Sequence, residues 1–183
     1  MALTVTGITL SGGIKIISQT IANDLTYDPT WSGGSFTVTG NTVTTTGQFA
    51  SVLYALRQTL GKIYFEFTSI QAGSDGYGCY IGVQRVPTRA GNYHDGSGYN
   101  GNGGQGRSLA PMITGTTYRI LVDLDAQTVS FDGAAPQVIF GSGQLYFAVY
   151  DGTSSSTGSG SINWGTGPFV YSLPAGAVPA GNA

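Results

Sequence analysis

Charge is scarce in this chain: 9% of its 183 residues are charged, seven of them basic and nine acidic, for a net charge of -2. So few scattered Lys and Arg cannot build the clustered positive field that nucleic acid or an anionic membrane requires, and neither is expected as a partner. A single cysteine, Cys79, excludes an intramolecular disulfide, and within its strand pattern it reads as a small buried hydrophobe. One His and one Cys are too few ligands for a transition-metal centre, so no metal or other cofactor is expected. No run approaches the roughly 18 apolar residues of a membrane helix. The opening MALTVT lacks the basic n-region and apolar h-region of a secretory signal, so the chain is expected to be made and kept in a cytoplasm.

What is abundant is glycine, at 30 residues, with frequent Thr and Ser, so hydroxyls, amides and bare backbone must make the surface polar. Hydrophobic residues at 40%, with 11 Tyr and 8 Phe, supply the apolar area that a disordered chain lacks. The length suits one sizeable core. The expected organisation is an N-terminal β hairpin or attachment arm over residues 1–20, then one domain over residues 21–183.

Helix signals are nearly absent, and period-2 alternation dominates. In residues 61–67, GKIYFEF, Ile63, Phe65 and Phe67 fall on one face and Lys62, Tyr64 and Glu66 on the other, which predicts a strand with one face on the core. From Tyr118, the residues Ile120, Val122 and Leu124 alternate with Arg119, Asp123 and Asp125. A bend at Ala126 and Gln127 returns the chain through Val129 and Phe131. Leu145, Phe147 and Val149 repeat the pattern, and Gly40-Asn41 between β-branched runs predicts a hairpin turn. Near the start, an echo of GITL (7–10) and GIKI (13–16) predicts two short strands, with Ile8, Leu10, Ile14 and Ile16 as candidate attachment residues. An ordinary first hairpin of the domain fits that echo as well.

Taken in order, GKIYFEF (61–67), CYIGV (79–83), the hairpin 118–131, LYFAVY (145–150), INWG (162–165) and LPAG (173–176) resemble the SPRY domain, in the form found in bacteriophage structural proteins. Asp28-Pro29, Gly40-Asn41 and SVLY (51–54) extend the likeness to about residues 25–178. The resemblance implies an all-β fold, an antiparallel β-sandwich of jelly-roll, concanavalin-like type, and makes Ala50–Leu60 a strand where periodicity also admits a helix. It implies framework roles for Gly61, Tyr64, Glu66, Gly82, Asp123, Asp125, Trp164 and Gly165. It also implies a non-enzymatic module that binds proteins, or by its concanavalin-like relatives sugars, and a place on a virion released by lysis.

Candidate chemistry is thin. A jelly-roll glycosidase needs two carboxylates on one strand face, and the chain has one Glu. Asp123 and Asp125 lie two apart, a spacing that suits a cation or a working pair, but the resemblance puts them in a hairpin, where the expectation is a turn cap. His94 beside Asp95 and near Ser97 has the residue types of a triad without a G-x-S-x-G elbow, and consecutive loop residues rarely meet in triad geometry. Asp75, Asp95 and Asp151 lack the ordered spacing of a calcium loop.

The stretch 85–111 reads as one long loop, its centre (91–106) holding seven Gly and three Asn in 16 residues. Its Arg85, Arg89, Tyr93, His94, Tyr99 and Arg107 are the candidate binding residues, because Arg and aromatics supply contact area and directed donors. The alternative is that this loop packs on its own sandwich. The expected function is capsid-surface decoration or cement, docking on other virion proteins through the N-terminal segment and strand edges, with homo-oligomers possible in such an assembly. The alternative is a receptor-binding tip or tail-fibre module that recognises a host glycan or surface protein.

Overall fold

The computed structural model describes residues 25–30, 32–46, 50–71, 79–87, 91–94, 99–100, 112–139, 142–151 and 157–181. The N-terminal segment with Ile8, Leu10, Ile14 and Ile16 lies outside the described residues, as do Arg89 and Arg107. Every regular element among the described residues is a strand, and no helix there is long and apolar enough to cross a membrane.

The strands are β1 (Phe36–Thr39), β2 (Thr42–Thr45), β3 (Ser51–Ala55), β4 (Lys62–Gln71), β5 (Cys79–Pro87), β6 (Gly91–His94), β7 (Tyr99–Asn100), β8 (Thr117–Asp123), β9 (Thr128–Phe131), β10 (Gln137–Val138), β11 (Gly143–Asp151), β12 (Gly158–Asn163) and β13 (Ala177–Pro179). One sheet runs β1-β2-β12-β4-β8-β9-β10 with β13 also paired to β4, and the other runs β3-β11-β5-β6-β7. All pairings are antiparallel except that of β13 with β4. Their inner faces meet in one core, where Phe65 of the first sheet packs edge-on against Phe147 of the second at 4.8 Å. The chain is therefore an antiparallel β-sandwich.

The alternating residues go where their period sends them. Ile63, Phe65, Phe67, Ile120, Val122, Val129, Phe131, Phe147 and Val149 are all buried in the shared core. The Gly40-Asn41 turn joins Thr39 to Thr42, with Gly40 at φ 56, a conformation that costs little without a Cβ. Asp28 caps its own turn by accepting from the Thr30 N–H at 2.8 Å.

Two expectations need correction. The stretch from Arg85 is not one long loop: β5 continues to Pro87, β6 pairs onto β5 and β7 onto β6, and this hairpin widens the sheet. Glycine density suggests a loop, yet glycine weakens a strand without forbidding it, and the outer backbone groups of β5 gain partners from β6. Second, the polar-looking face of β4 is not solvated along its length: Lys62 is exposed, but Tyr64 is 1% and Glu66 2% exposed. A segment from the far end of the chain covers the latter two.

Candidate binding surface

That cover begins where β12 stops pairing. Trp164 turns into the core, with its ring centroid 5.2 Å from both Tyr54 and Phe65 and 5.8 Å from Phe147. Gly165 then takes φ 103, and a Cβ there would lie 2.3 Å from Pro179, so only glycine lets the chain leave the sheet at this point. Residues 165–176 cross the outer face of β4 as a strap. The chain returns as β13, and the Gly181 N–H closes the excursion on the Trp164 carbonyl at 3.0 Å.

Glu66 anchors the strap. Its Oε2 accepts from the Val170 N–H at 2.8 Å, and its Oε1 accepts from the Tyr171 N–H at 2.9 Å and the Tyr64 hydroxyl at 2.8 Å. A buried carboxylate is tolerable only with such saturation, because each unmet acceptor would carry its full desolvation cost. Burial pushes the Tyr64 phenol well above its ordinary 10.0, and its bond to Glu66 adds to the rise while Arg119 opposes it. Tyr64 also meets Phe169 edge-on at 4.8 Å.

From the neighbouring strand, Arg119 lays its guanidinium 4.7 Å from the Tyr171 ring centroid. Its Nη2 donates to the Asp132 carbonyl at 2.7 Å, which fixes the fork. The Asn163 Nδ2 donates to the Pro168 carbonyl at 2.9 Å and ties down the strap's first half. The result is a braced backbone that presents apolar groups outward: Val170 is 69% exposed, Leu173 42% and Tyr171 38%. Arg119 and Tyr171 at its flank add a cation and a hydroxyl.

The other acidic groups have framework work. Asp123 accepts from the Ala126 N–H at 2.9 Å, capping the hairpin turn as the resemblance implied, and pairs with Lys62 at 3.6 Å, whereas Asp125 caps nothing within that turn and instead accepts from the Gly61 N–H at 3.1 Å, tying the turn to the entry of β4. Among the described residues, no three or more of His, Cys, Asp and Glu gather where they could hold a metal ion.

Of the six candidate binding residues, the four that are described, Arg85, Tyr93, His94 and Tyr99, lie in strands. Arg85 lies within β5, where its Nη1 donates to the Gly143 carbonyl at 2.6 Å and its Nη2 to the Gln127 side chain, so it braces β5 against β11 and the β8–β9 turn. Tyr93 registers with Gly82 and Asn100, and His94 with Ile81 and Tyr99, within the edge hairpin. The strap's exposed residues escaped sequence reading, although FVY between Pro168 and Pro174 is an apolar run flanked by the residue least suited to a ladder.

No protein-family model matches the chain, and no curated protein matches it in sequence. Solved structures do match in fold. The SPRY domain of human HERC1 superposes with a TM-score of 0.59 at 20% identity, covering 75% of this chain and 97% of that one. The TRIM65 PSpry domain is similar at a TM-score of 0.45 and 15% identity, over 77% of this chain and 91% of that one. A Trypanosoma rangeli sialidase in complex with sialic acid overlaps 71% of this chain and 26% of its own, with a TM-score of 0.38 and 10% identity. The fold is SPRY-like.

Proposed function

We propose that this chain is a non-enzymatic binding module, and that its setting is the surface of a bacteriophage particle, where it docks on other virion proteins as a decoration or cement. The observation that carries the binding role is the braced strap. Val170, Tyr171 and Leu173 stand out from a backbone pinned by Glu66, so a partner can bury them without first ordering the segment, and preorganised apolar and aromatic anchors concentrate binding energy. The SPRY-like fold supports a role in binding proteins. The described acidic side chains support a non-catalytic reading, because their hydrogen bonds go to turns, strands and the strap. The particle setting rests on the order of sequence segments and on a low-charge, Gly-rich composition.

Immunogold labelling of particles from a lysate tests the setting, with regular label over the head as the expected result. Label at the tail tip would favour the receptor-binding alternative, and an absence of label from every particle would overturn both. A Val170→Asp/Leu173→Asp variant tests the surface. Both sites are exposed, so folding is retained, and binding to particles that lack the protein is expected to fall at least tenfold. Unchanged binding would overturn the strap's role.

A further inference from the structure

The outer edge of β1, open among the described residues, has an unusual character. Between Asp28 and Arg57 the sequence holds no charged residue, and β1 itself, FTVT, has no Pro and no bulge. Edge strands in natural proteins are commonly protected by one of these devices, because unpaired N–H and C=O groups invite another strand. Among the described residues, β1 pairs with β2 alone.

The direction of its free groups follows from the hairpin. The Thr46 N–H donates to the Ser35 carbonyl at 2.8 Å, and the register continues through Thr37↔Thr44 to Thr39↔Thr42 beside the turn. Those are the bonded pairs of the antiparallel ladder, so Phe36 and Val38 direct their N–H and C=O away from β2. Their side chains are half-buried against the core, and those of Thr37 and Thr39 are exposed.

This edge is complementary to itself. We propose that two copies of the chain join through β1 in antiparallel pairing, with the dyad at Thr37. Phe36 then lies opposite Val38 of the second copy, and each pair exchanges two backbone hydrogen bonds. Inner side chains meet inner side chains, and Thr37 meets its equivalent on the outer face. Dyads one residue away fail, because they set the second bonded residue opposite Gly34 or Gly40, whose φ values of 81 and 56 take them off the strand. A four-residue edge buries well under the roughly 1,200 Å² of stable complexes, so the association is weak in dilute solution and gains from the repeated display of an assembly. The inference stands on the edge alone and holds whatever surface the strap binds.

A Thr37→Cys variant of the full chain, equilibrated in glutathione buffer, tests the register. Facing residues at the non-bonded dyad site lie about 4.5 Å apart between Cα atoms, within disulfide range. The expected product is a dimer linked through position 37 in both copies by peptide mapping. Thr39→Cys, also exposed but off the dyad, is expected to stay monomeric. A monomeric Thr37→Cys chain, or equal linkage at position 39, overturns the proposal. In sedimentation equilibrium the unmodified chain is expected to dimerise as concentration rises. Val38→Pro, which spares the β1–β2 ladder while deleting an outward N–H, is expected to remain a monomer. Dimerisation that survives Val38→Pro also overturns it.

Discussion

The backbone N–H of Tyr171 donates to the Glu66 carboxylate at 2.9 Å, across 105 residues of sequence. One strand residue thereby holds the strap that hides it. The arrangement is mutual, since the strap removes Glu66 from water and Glu66 satisfies two strap amides that the sheet does not reach.

Glu66→Ala is therefore expected to destabilise the fold by about 3 kcal/mol, because it orphans the Tyr64 hydroxyl and both strap N–H groups. Glu66→Gln keeps an acceptor and should cost less. Urea unfolding gives the two values, and amide exchange should show Val170 and Tyr171 losing protection first. Equal stability of the Ala variant and the unmodified chain would refute the anchor.

Alkaline pH should unfold the protein cooperatively. The phenols of Tyr54, Tyr64, Tyr118 and Tyr146 are all raised above 10.0, in each case chiefly by burial. A raised native pKa means the folded state holds its proton more tightly, so this contribution is complete below pH 10 and is lost as pH climbs from there through the native values. Stability measured against pH, with tyrosinate absorbance followed in parallel, should show these tyrosines ionising only as the chain unfolds. Full ionisation near pH 10 in a folded chain would contradict their burial.

Gly160→Ala places a Cβ 2.0 Å from the Phe67 ring at the irregular step between β12 and β4. Overpacking of this kind should cost about 2 kcal/mol. Phe67→Leu in the same chain is expected to recover part of that loss, so the two substitutions should be non-additive in thermal or urea melts. Strict additivity would mean that the ring is not what the glycine makes room for.

Trp164 separates volume from hydrogen bonding. It is fully buried, and its indole N–H has no partner among the described residues. Trp164→Ala should cost about 4 kcal/mol through the cavity left behind. Trp164→Phe gives up no hydrogen bond and should cost about 1 kcal/mol. Similar losses for both would show that the indole N–H contributes more than its burial suggests.

Much of the framework was legible because strand alternation is a local property. Ile63, Phe65 and Phe67 declare a core face by spacing alone, and Gly40-Asn41 declares its turn. Asp123 caps the hairpin turn as its place in the sequence implied, while Asp125 reaches across to Gly61, a partner that local spacing does not reveal. The candidate binding surface was much less legible. Arg85 looked like a loop residue available to a partner, but its guanidinium is committed to Gly143 and Gln127, which local spacing cannot foresee. Gly91–His94 looked like loop because glycine counts outweighed the open ladder of β5 beside it.

By itself, the sequence determined that the chain would form alternating strands and which side chains would fill the space between two sheets, since those follow from a two-residue period and apolar area. Only the tertiary structure decided that the opposite face of β4 would also be buried. Tyr64, Glu66 and Lys62 share that face by alternation, yet the first two are hidden and Lys62 is exposed. The difference is made by a strap arriving from more than a hundred residues away, and a contact of that separation leaves no mark in the local pattern of either segment.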